Sequence, residues 1–186
     1  MKKIILVAAV SLLSVSAFAQ KFAHVNSAEL VQLCPEMDEA RTALAAASQE
    51  AQETYQEMVE EFQSKYQVYQ QKASTWTQTV RETKENELTQ IQQRIQEFDQ
   101  SVQQELQQQQ AALLEPIQKK VTETINKLAK EGGYIYVFDV NALMYFDDAQ
   151  STDITPAARK ALGIPEGRTL ETLQAELAAK AAEQQQ

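Results

Sequence analysis

The sequence predicts an α+β fold in which a small β body carries a long antiparallel α-helical coiled-coil hairpin that projects from it. Two observations lead to this fold class. Residues 36–131 contain no glycine and a single proline, Pro116, so long helices can run through them. The stretch GGYIYVFDVNALMYFDD at 132–148 is instead dense in aromatic and β-branched residues, which favour strands.

The first 19 residues have the pattern of a secretory signal peptide. Lys2 and Lys3 precede an apolar run over 4–16, and Ala-Phe-Ala at 17–19 has the small-x-small pattern of a cleavage site. Cleavage there would leave 167 of the 186 residues, beginning at Gln20. An uncleaved anchor helix is the alternative, but the apolar run is short for a membrane span. The sequence therefore predicts an exported protein.

The charge of the chain argues against one class of partner. Without Lys2 and Lys3 the chain has 15 basic and 26 acidic residues, a net charge of −11. A surface of this sign does not favour nucleic acid or an anionic membrane. The single cysteine, Cys34, permits no internal disulfide, and a buried thiol is favoured over an intermolecular disulfide.

A short strand and a short helix are predicted at the start of the exported chain. Residues 21–26, KFAHVN, alternate between two faces, as a strand does. Ser27 is expected to cap a helix that runs to Leu33. The Cys34-Pro35 step should end that helix, because a residue before proline avoids helical geometry.

An apolar stripe at helical spacing follows. It covers 37–73, is interrupted by hydroxyl residues at 73–79, and resumes from Leu88 to Leu128 with a period near 3.64 residues. Two striped helices joined by a polar turn predict a helical hairpin over 37–117 with its tip near 73–79. One continuous helix is the alternative. Pro116 is expected to bend the second helix.

Gly132 and Gly133 are expected to end the second long helix. The residues after them predict a β-hairpin over 134–146 that turns near 139–142. A hairpin of the long helices would place this β-hairpin beside strand 22–26. Three short strands leave open edges, which symmetric association of several copies would close into a barrel.

The C-terminal part predicts one further capped helix and a tail. Thr155 is expected to be the N-cap of this helix, and Gly163 to end it. Residues 164–186 are expected to form a mobile tail with a nascent helix. The predicted organisation is thus a signal peptide at 1–19, a discontinuous body at 20–36 and 118–163, an arm at 37–117 and a tail at 164–186.

Three segments carry a resemblance to a known family: AHVNSAEL (23–30), PIQKKVTETINKLAKEGGYIYVFDVNALMYFDD (116–148) and DITPAARKAL (153–162). Together with the long helices between them, they resemble the Skp/OmpH family of periplasmic chaperones. The resemblance implies a homotrimer whose strands form a central β-barrel body. It also implies three helical hairpins around a cavity that holds unfolded outer-membrane proteins without ATP. The best-known family members are basic, whereas this chain is acidic.

The interface and client surfaces follow from these two parts. Candidate residues of the trimer body are Phe22, Val25, Tyr134, Ile135, Tyr136, Val137, Phe138 and Tyr145. Candidate client-binding residues in the distal arm are Met58, Phe62, Tyr66, Tyr69, Lys72, Trp76 and Arg81. Core packing of the hairpin is the alternative role for the aromatic residues among them.

Charge is divided unevenly along the predicted arm. Residues 36–64, the upper arm, have a net charge of −7, and residues 65–84, the tip segment, have a net charge of +3. A solvated surface is the simpler interpretation of both segments. The functional interpretation is an electrostatic field of mixed sign that attracts unfolded clients of either charge.

Catalytic and metal sites are not predicted. His24 is the sole histidine, and the four glycines form no phosphate-binding loop. Turn chemistry accounts better than a calcium loop for the acidic residues Asp139, Asp147, Asp148 and Asp153. No enzyme activity, cofactor or metal is therefore expected.

The prediction is an ATP-independent periplasmic holdase for unfolded outer-membrane proteins, with weak contact to membrane or lipopolysaccharide and none to nucleic acid. The alternative is a structural coiled-coil spacer or adaptor of the cell envelope.

Overall fold

The computed structural model describes residues 21–183 and is mostly helical with one small sheet. In chain order the elements are β1 (Phe22–Val25), α1 (Ser27–Leu33), α2 (Pro35–Lys72), a 3-10 turn (Ala73–Thr75), α3 (Gln78–Gly132), β2 (Tyr136–Asp139), 3-10 turns at Val140–Ala142 and Asp148–Gln150, β3 (Ser151–Asp153), α4 (Thr155–Ala161) and α5 (Leu170–Glu183). No helix of the described part is long and apolar enough to span a membrane. The predicted signal peptide lies outside the described residues.

The chain divides into two compact units. We call residues Cys34–Lys119 the arm unit, and the described residues 21–33 and 120–183 the body unit. Helix α3 contributes residues to both.

The body unit contains a three-stranded sheet in the order β2-β1-β3, in which both neighbours run parallel to β1. Phe22 pairs with Tyr136 on one side and with Ser151 on the other. Ala23 and Val25 of the central strand are buried. The parallel pairing requires long connections, which helices α1 to α3 and the segment after β2 supply.

The predicted β-hairpin over 134–146 is wrong. The Asp139 side chain accepts hydrogen bonds from the backbone N–H of Asn141 at 3.0 Å and from its side-chain amide at 2.8 Å, and the chain enters a 3-10 turn. A tight hairpin turn needs residues with positive φ, and among the described residues only glycines have one. The chain does not fold back here, and Ser151–Asp153 supplies the third strand instead.

Glycines end two helices as predicted. Gly133 and Gly163 have φ values of 66° and 73°. After Gly163, the N–H of Ile164 donates to the carbonyl of Arg159 at 2.9 Å. The N–H of Tyr134 makes the equivalent bond after Gly133. Both ends are Schellman motifs, in which a left-handed residue turns the chain back over the last helical carbonyls.

The two predicted N-caps are displaced. Asn26, not Ser27, caps α1, since its side-chain oxygen accepts from the N–H of Glu29 at 3.0 Å. The Ser27 hydroxyl donates to the Asp139 carboxylate. At α4 the N-cap is Ile154, which makes no side-chain cap bond, and Thr155 is the first helical residue. The Asp153 carboxylate accepts from the N–H of Thr155 at 2.8 Å. Each prediction therefore chose a residue one position late.

Residues 164–183 include a helix that packs within the body unit, where a mobile tail with a nascent helix was expected. Ile164 and Leu173 are buried, and α5 packs against α1. Thr169 and Thr172 exchange hydrogen bonds that cap α5. The sequence predicted only a nascent helix because the segment is weakly amphipathic. The helix depends on tertiary burial for its stability rather than on propensity.

The arm unit is an antiparallel pair of helices. The chain leaves α2 through the 3-10 turn at 73–75, and Trp76 takes an extended backbone conformation before α3 begins. Glu61 of α2 contacts Arg94 of α3, and Tyr69 contacts Glu85. These contacts exclude a single continuous helix. Helix α3 continues through Pro116, and the bend expected there stays a prediction.

Candidate functional site

The tip of the helical pair is held together by Tyr69, Trp76 and Glu85. The ring of Tyr69 meets the ring of Trp76 edge-on at 6.1 Å between centroids. The Tyr69 hydroxyl donates to the Glu85 carboxylate at 2.5 Å, and this hydrogen bond raises the pKa of Tyr69. Both aromatic rings are half-buried. Packing at the turn therefore occupies part of each ring, and the remainder faces solvent.

The client-binding candidates that precede the tip in α2 differ in exposure. Phe62 stacks on Tyr66 with 5.8 Å between ring centroids. Met58 and Phe62 are half-buried, whereas Tyr66 is 44% exposed. Core packing and solvent exposure thus coexist in the same cluster, because two helices alone cannot cover a ring on all sides.

Two exposed apolar residues were missed in the sequence. Val68 is 43% exposed and Val80 is 40% exposed. Val68 lies off the apolar stripe of α2, on a polar face, and a valine at such a position is the signal that would have found it. Val80 lies in line with the stripe of α3, two turns before Leu88, and extending that stripe toward the tip would have found it.

The basic residues of the tip segment differ in how they are paired. Lys65 lies 3.3 Å from Glu61 and 3.9 Å from Glu87. Lys84 lies 3.0 Å from Glu87, and its ammonium lowers the pKa of that carboxyl. Lys72 and Arg81 take part in none of the ion pairs among the described residues, and both side chains are exposed.

The second candidate surface is an aromatic ladder on the sheet. Phe22 stacks on Tyr136 at 6.2 Å and on Phe138 at 6.3 Å between ring centroids. Tyr136 is 60% exposed and Phe138 is 40% exposed. The ladder borders an apolar groove of about 360 Å³ that Leu143, Tyr145 and Phe146 also line. One chain alone leaves this surface uncovered.

The other body candidates are distributed over several positions. Val25 is buried in the central strand, Tyr134 and Val137 are half-buried, and Ile135 is exposed. Tyr145 lies outside the strands and is 84% exposed. Within one chain, strand β2 is therefore only partly buried.

His24 has a packing role. Its Nδ1 lies 2.9 Å from the hydroxyl oxygen of Ser151, and its ring packs on Phe146 at 4.5 Å between centroids. The side chain is buried. The described residues contain no group of three or more histidine, cysteine, aspartate or glutamate side chains that could hold a metal ion.

Comparison with known proteins identifies the family. The model of the family described as outer membrane protein (OmpH-like) matches residues 21–162. This chain belongs to the OmpH-like family. The match begins before β1 and ends after α4, so helix α5 lies beyond it.

A solved structure has the same fold as this OmpH-like protein. It is the crystal structure of a proposed OmpH-like outer membrane chaperone from Caulobacter crescentus CB15. The TM-score is 0.68 at 18% sequence identity, over 77% of this chain and 83% of the other. At this identity the likeness concerns the fold. No curated protein matches this chain.

Proposed function

We propose that this OmpH-like protein is an ATP-independent periplasmic holdase that binds unfolded outer-membrane proteins between helical arms and prevents their aggregation. The observation that carries the proposal is the poor burial of the arm unit. Only Cys34, Ala40, Ile91 and Ile117 are buried in this fully described unit of two long helices. Its aromatic and aliphatic residues therefore stay in reach of a partner.

Partial exposure suits a holdase better than a dedicated binding partner. Each exposed aromatic or aliphatic side chain makes a weak contact that is insensitive to client sequence. Many such contacts hold a flexible chain together, while each single contact releases quickly. The remaining surface of the arms is rich in Gln and Glu, so a client remains solvated between contacts.

We further propose that the body assembles as a homotrimer. The ladder of Phe22, Tyr136 and Phe138 and the neighbouring apolar groove are the surfaces that other subunits would cover. Strands β2 and β3 are both edge strands of the sheet, and association would protect their free backbone groups. The arms of three subunits would then surround a common client.

The proposed compartment is the periplasm. The N-terminal sequence supports it through the basic residues, the apolar run and the small residues before Gln20. Membership of the OmpH-like family supports it independently.

An aggregation assay separates the holdase from a coiled-coil spacer. A denatured outer-membrane β-barrel protein is diluted from urea into buffer with and without the mature chain, and light scattering is followed. A holdase keeps the client soluble at a near-stoichiometric ratio without ATP, and it does so for unrelated barrels. A spacer leaves the scattering unchanged, and that result would refute the proposal.

A further inference from the structure

A groove between α2 and α3 has an apolar floor and acidic rims. Its floor consists of apolar side chains from both helices, and it encloses about 220 Å³. The floor residues are Ala47, Ala51, Phe98, Val102 and Leu106. Glu50 from α2 and Glu105 from α3 border it, and both are exposed.

The charge around this groove is of one sign. Residues 42–64 of α2 and 95–118 of α3 contain nine acidic residues and no lysine or arginine. Arg41, Lys65, Arg94 and Lys119 lie just outside these stretches. No basic side chain of the two stretches can therefore neutralise Glu50 or Glu105.

A neighbouring groove on the same helical pair is built differently. It encloses about 330 Å³ and is lined by Glu61, Lys65, Glu87 and Arg94 among others. In it Arg94 lies 3.1 Å from Glu61, and Lys65 lies near both carboxylates. The same two helices thus neutralise the carboxylates at one groove and leave them without basic neighbours at the other.

The acidic pattern has a cost for the isolated helix. Glu50, Glu53 and Glu57 follow one another at spacings of three and four residues, so their charges lie close together on one flank. Like charges at these spacings destabilise a helix, and a cation bound between them removes the repulsion. A cationic partner is therefore favoured twice, by attraction and by relief of repulsion.

We infer that this groove binds cationic segments of unfolded polypeptide, in which lysine or arginine adjoins aliphatic residues. The aliphatic side chains occupy the apolar floor, and the basic groups reach Glu50 and Glu105. The inference rests on the proposed holdase function, since it names the client segments that the arms select. Acidic client segments are disfavoured at this groove because they meet carboxylates.

The test uses two dye-labelled 15-residue peptides of equal leucine and serine content, one with four lysines and one with four glutamates. Binding to the full mature chain is measured by fluorescence anisotropy. We expect the lysine peptide to bind about tenfold more tightly at low salt, since each exposed charge pair contributes a few-fold. Its affinity should fall about fivefold when the NaCl concentration rises from 50 to 300 mM.

Three variants assign the binding to the groove. The double variant Glu50→Gln, Glu105→Gln should weaken the lysine peptide about fivefold. Ala51→Leu fills the floor without changing charge and should weaken it by about the same factor. The control Glu123→Gln, Glu171→Gln makes an equal charge change on exposed residues outside the arm unit and should stay within about twofold. Circular dichroism establishes that all variants are helical.

Each outcome decides the inference. Equal affinity for the two peptides overturns it, as does an Ala51→Leu variant that binds normally, since binding would then be general charge attraction. A control variant as weak as the groove variant also overturns it. The aggregation assay on the same proteins keeps the proposals apart. A wild-type chain that protects clients without preferring the lysine peptide refutes the groove alone. A chain that protects no client refutes the holdase.

Discussion

The Glu61 carboxylate of α2 lies 3.1 Å from the guanidinium of Arg94 in α3, across a separation of 33 residues in the chain. The pair marks the register of the antiparallel helices in the distal arm. Lys65 with Glu87 and Tyr69 with Glu85 lie in the same register toward the turn. Because Glu61 and Arg94 face each other across the two helices, a short turn can join the helices at this point.

We expect a shortened arm to keep its fold and lose most of its activity. Residues 62–93 are replaced by a four-residue turn that joins Glu61 to Arg94, a length that antiparallel helices accept. The chain should remain soluble and keep the wild-type number of subunits, which native mass measures. It should protect clients from aggregation much less well, because the exposed aromatic and aliphatic residues of the distal arm are gone and only the groove at Glu50 and Glu105 is left. Loss of assembly would show that the distal arms hold the subunits together, as a coiled-coil adaptor requires.

The long helices were predictable because their information is local. The apolar positions from Leu88 to Leu128 repeat at the helical period, and all eleven residues of this stripe are buried or half-buried. Gly133 and Gly163 marked helix ends because only glycine adopts the left-handed conformation without strain. The interruption at 73–79 also located the turn from local information, since hydroxyl residues favour turns over helix interiors.

The sheet was not predictable in the same way. Phe22 could pair with any strand that the fold brings near, and the partners Tyr136 and Ser151 lie more than a hundred residues away. Residues 143–146 have strand-like composition, but their aromatic and aliphatic side chains line the groove beside Phe22. An apolar composition indicates contact with apolar neighbours, but it does not indicate which segment pairs its backbone in the sheet.

The candidate site was predictable in kind but not in detail. The sequence indicated an aromatic distal arm, and Phe62, Tyr66, Tyr69 and Trp76 do cluster in pairs there. The groove near Glu50 depends on how the two helices face each other. That orientation follows from the register rather than from either helix alone.

The aromatic ladder leads to a prediction about assembly. Tyr136 is 60% exposed in one chain, so Tyr136→Glu introduces a charge without burying it in the monomer. If other subunits cover the ladder, the charge becomes buried on assembly and the oligomer should dissociate. Sedimentation velocity and native mass measure this against Tyr55→Glu, at a tyrosine of the arm that is 41% exposed. A Tyr136→Glu variant that keeps the wild-type mass would move the interface elsewhere.

The docking of α5 leads to a prediction about stability. Leu173 is 4% exposed and Leu177 on the same helix is 41% exposed. Leu173→Ala should lower the free energy of unfolding by about 2–3 kcal/mol, as for a buried leucine. Leu177→Ala should lower it by less than about 1 kcal/mol. Urea denaturation at one fixed protein concentration compares them, and equal effects would mean that α5 is not held by Leu173.

Arg159 offers a second measurement of the same docking. Its guanidinium donates to Glu29 of α1 and to the carbonyl oxygens of Pro165 and Arg168. Arg159→Met keeps the aliphatic stem and removes these bonds. Relative to wild type, we expect this variant to exchange its amide hydrogens faster in α5, with a smaller increase in α1. Unchanged exchange in α5 would show that apolar packing alone holds the helix.

The Asp139 carboxylate should make the body sensitive to acid. Burial acts to raise its pKa, but hydrogen bonds from Ser27 and Asn141 outweigh burial, and the pKa lies below its usual value. A carboxyl with a lowered folded-state pKa adds stability above its unfolded pKa of about 3.9. That stability is lost as the pH falls through the folded-state pKa. The difference in unfolding free energy between wild type and Asp139→Asn should therefore be constant between pH 7 and pH 5 and smaller at pH 3.5.

A matched substitution controls for this effect. Asp148 lies in the same segment and its side chain is exposed. The unfolding free energy of Asp148→Asn should differ from that of wild type by the same amount at each pH. If the difference for Asp139→Asn is also the same at each pH, the hydrogen bonds from Ser27 and Asn141 do not favour the charged form, and the acid sensitivity has another origin.

The tip of the arm leads to a prediction about client contact. Tyr69 and Trp76 pack on each other but keep part of each ring exposed, whereas Val68 and Val80 are exposed without a ring partner. We expect Tyr69→Ala with Trp76→Ala to weaken binding of an unfolded outer-membrane client about five- to tenfold. Val68→Ser with Val80→Ser should weaken it about threefold, from the smaller apolar area removed. Neutralising Lys72 and Arg81 to glutamine should change it less than about twofold, since exposed charges contribute little.

The measurement titrates one fluorescently labelled client against the three double variants under the same conditions. Tyr69→Phe is added because it removes the hydrogen bond to Glu85 and keeps the ring, so it separates closure of the tip from contact with the client. If Tyr69→Phe binds normally while the aromatic double variant does not, the rings themselves contact the client. If Tyr69→Phe is equally weak, the tip must be closed for binding and the rings act through its structure. A larger effect from Lys72 and Arg81 than from either apolar pair would show that charge at the tip, rather than apolar area, holds the client.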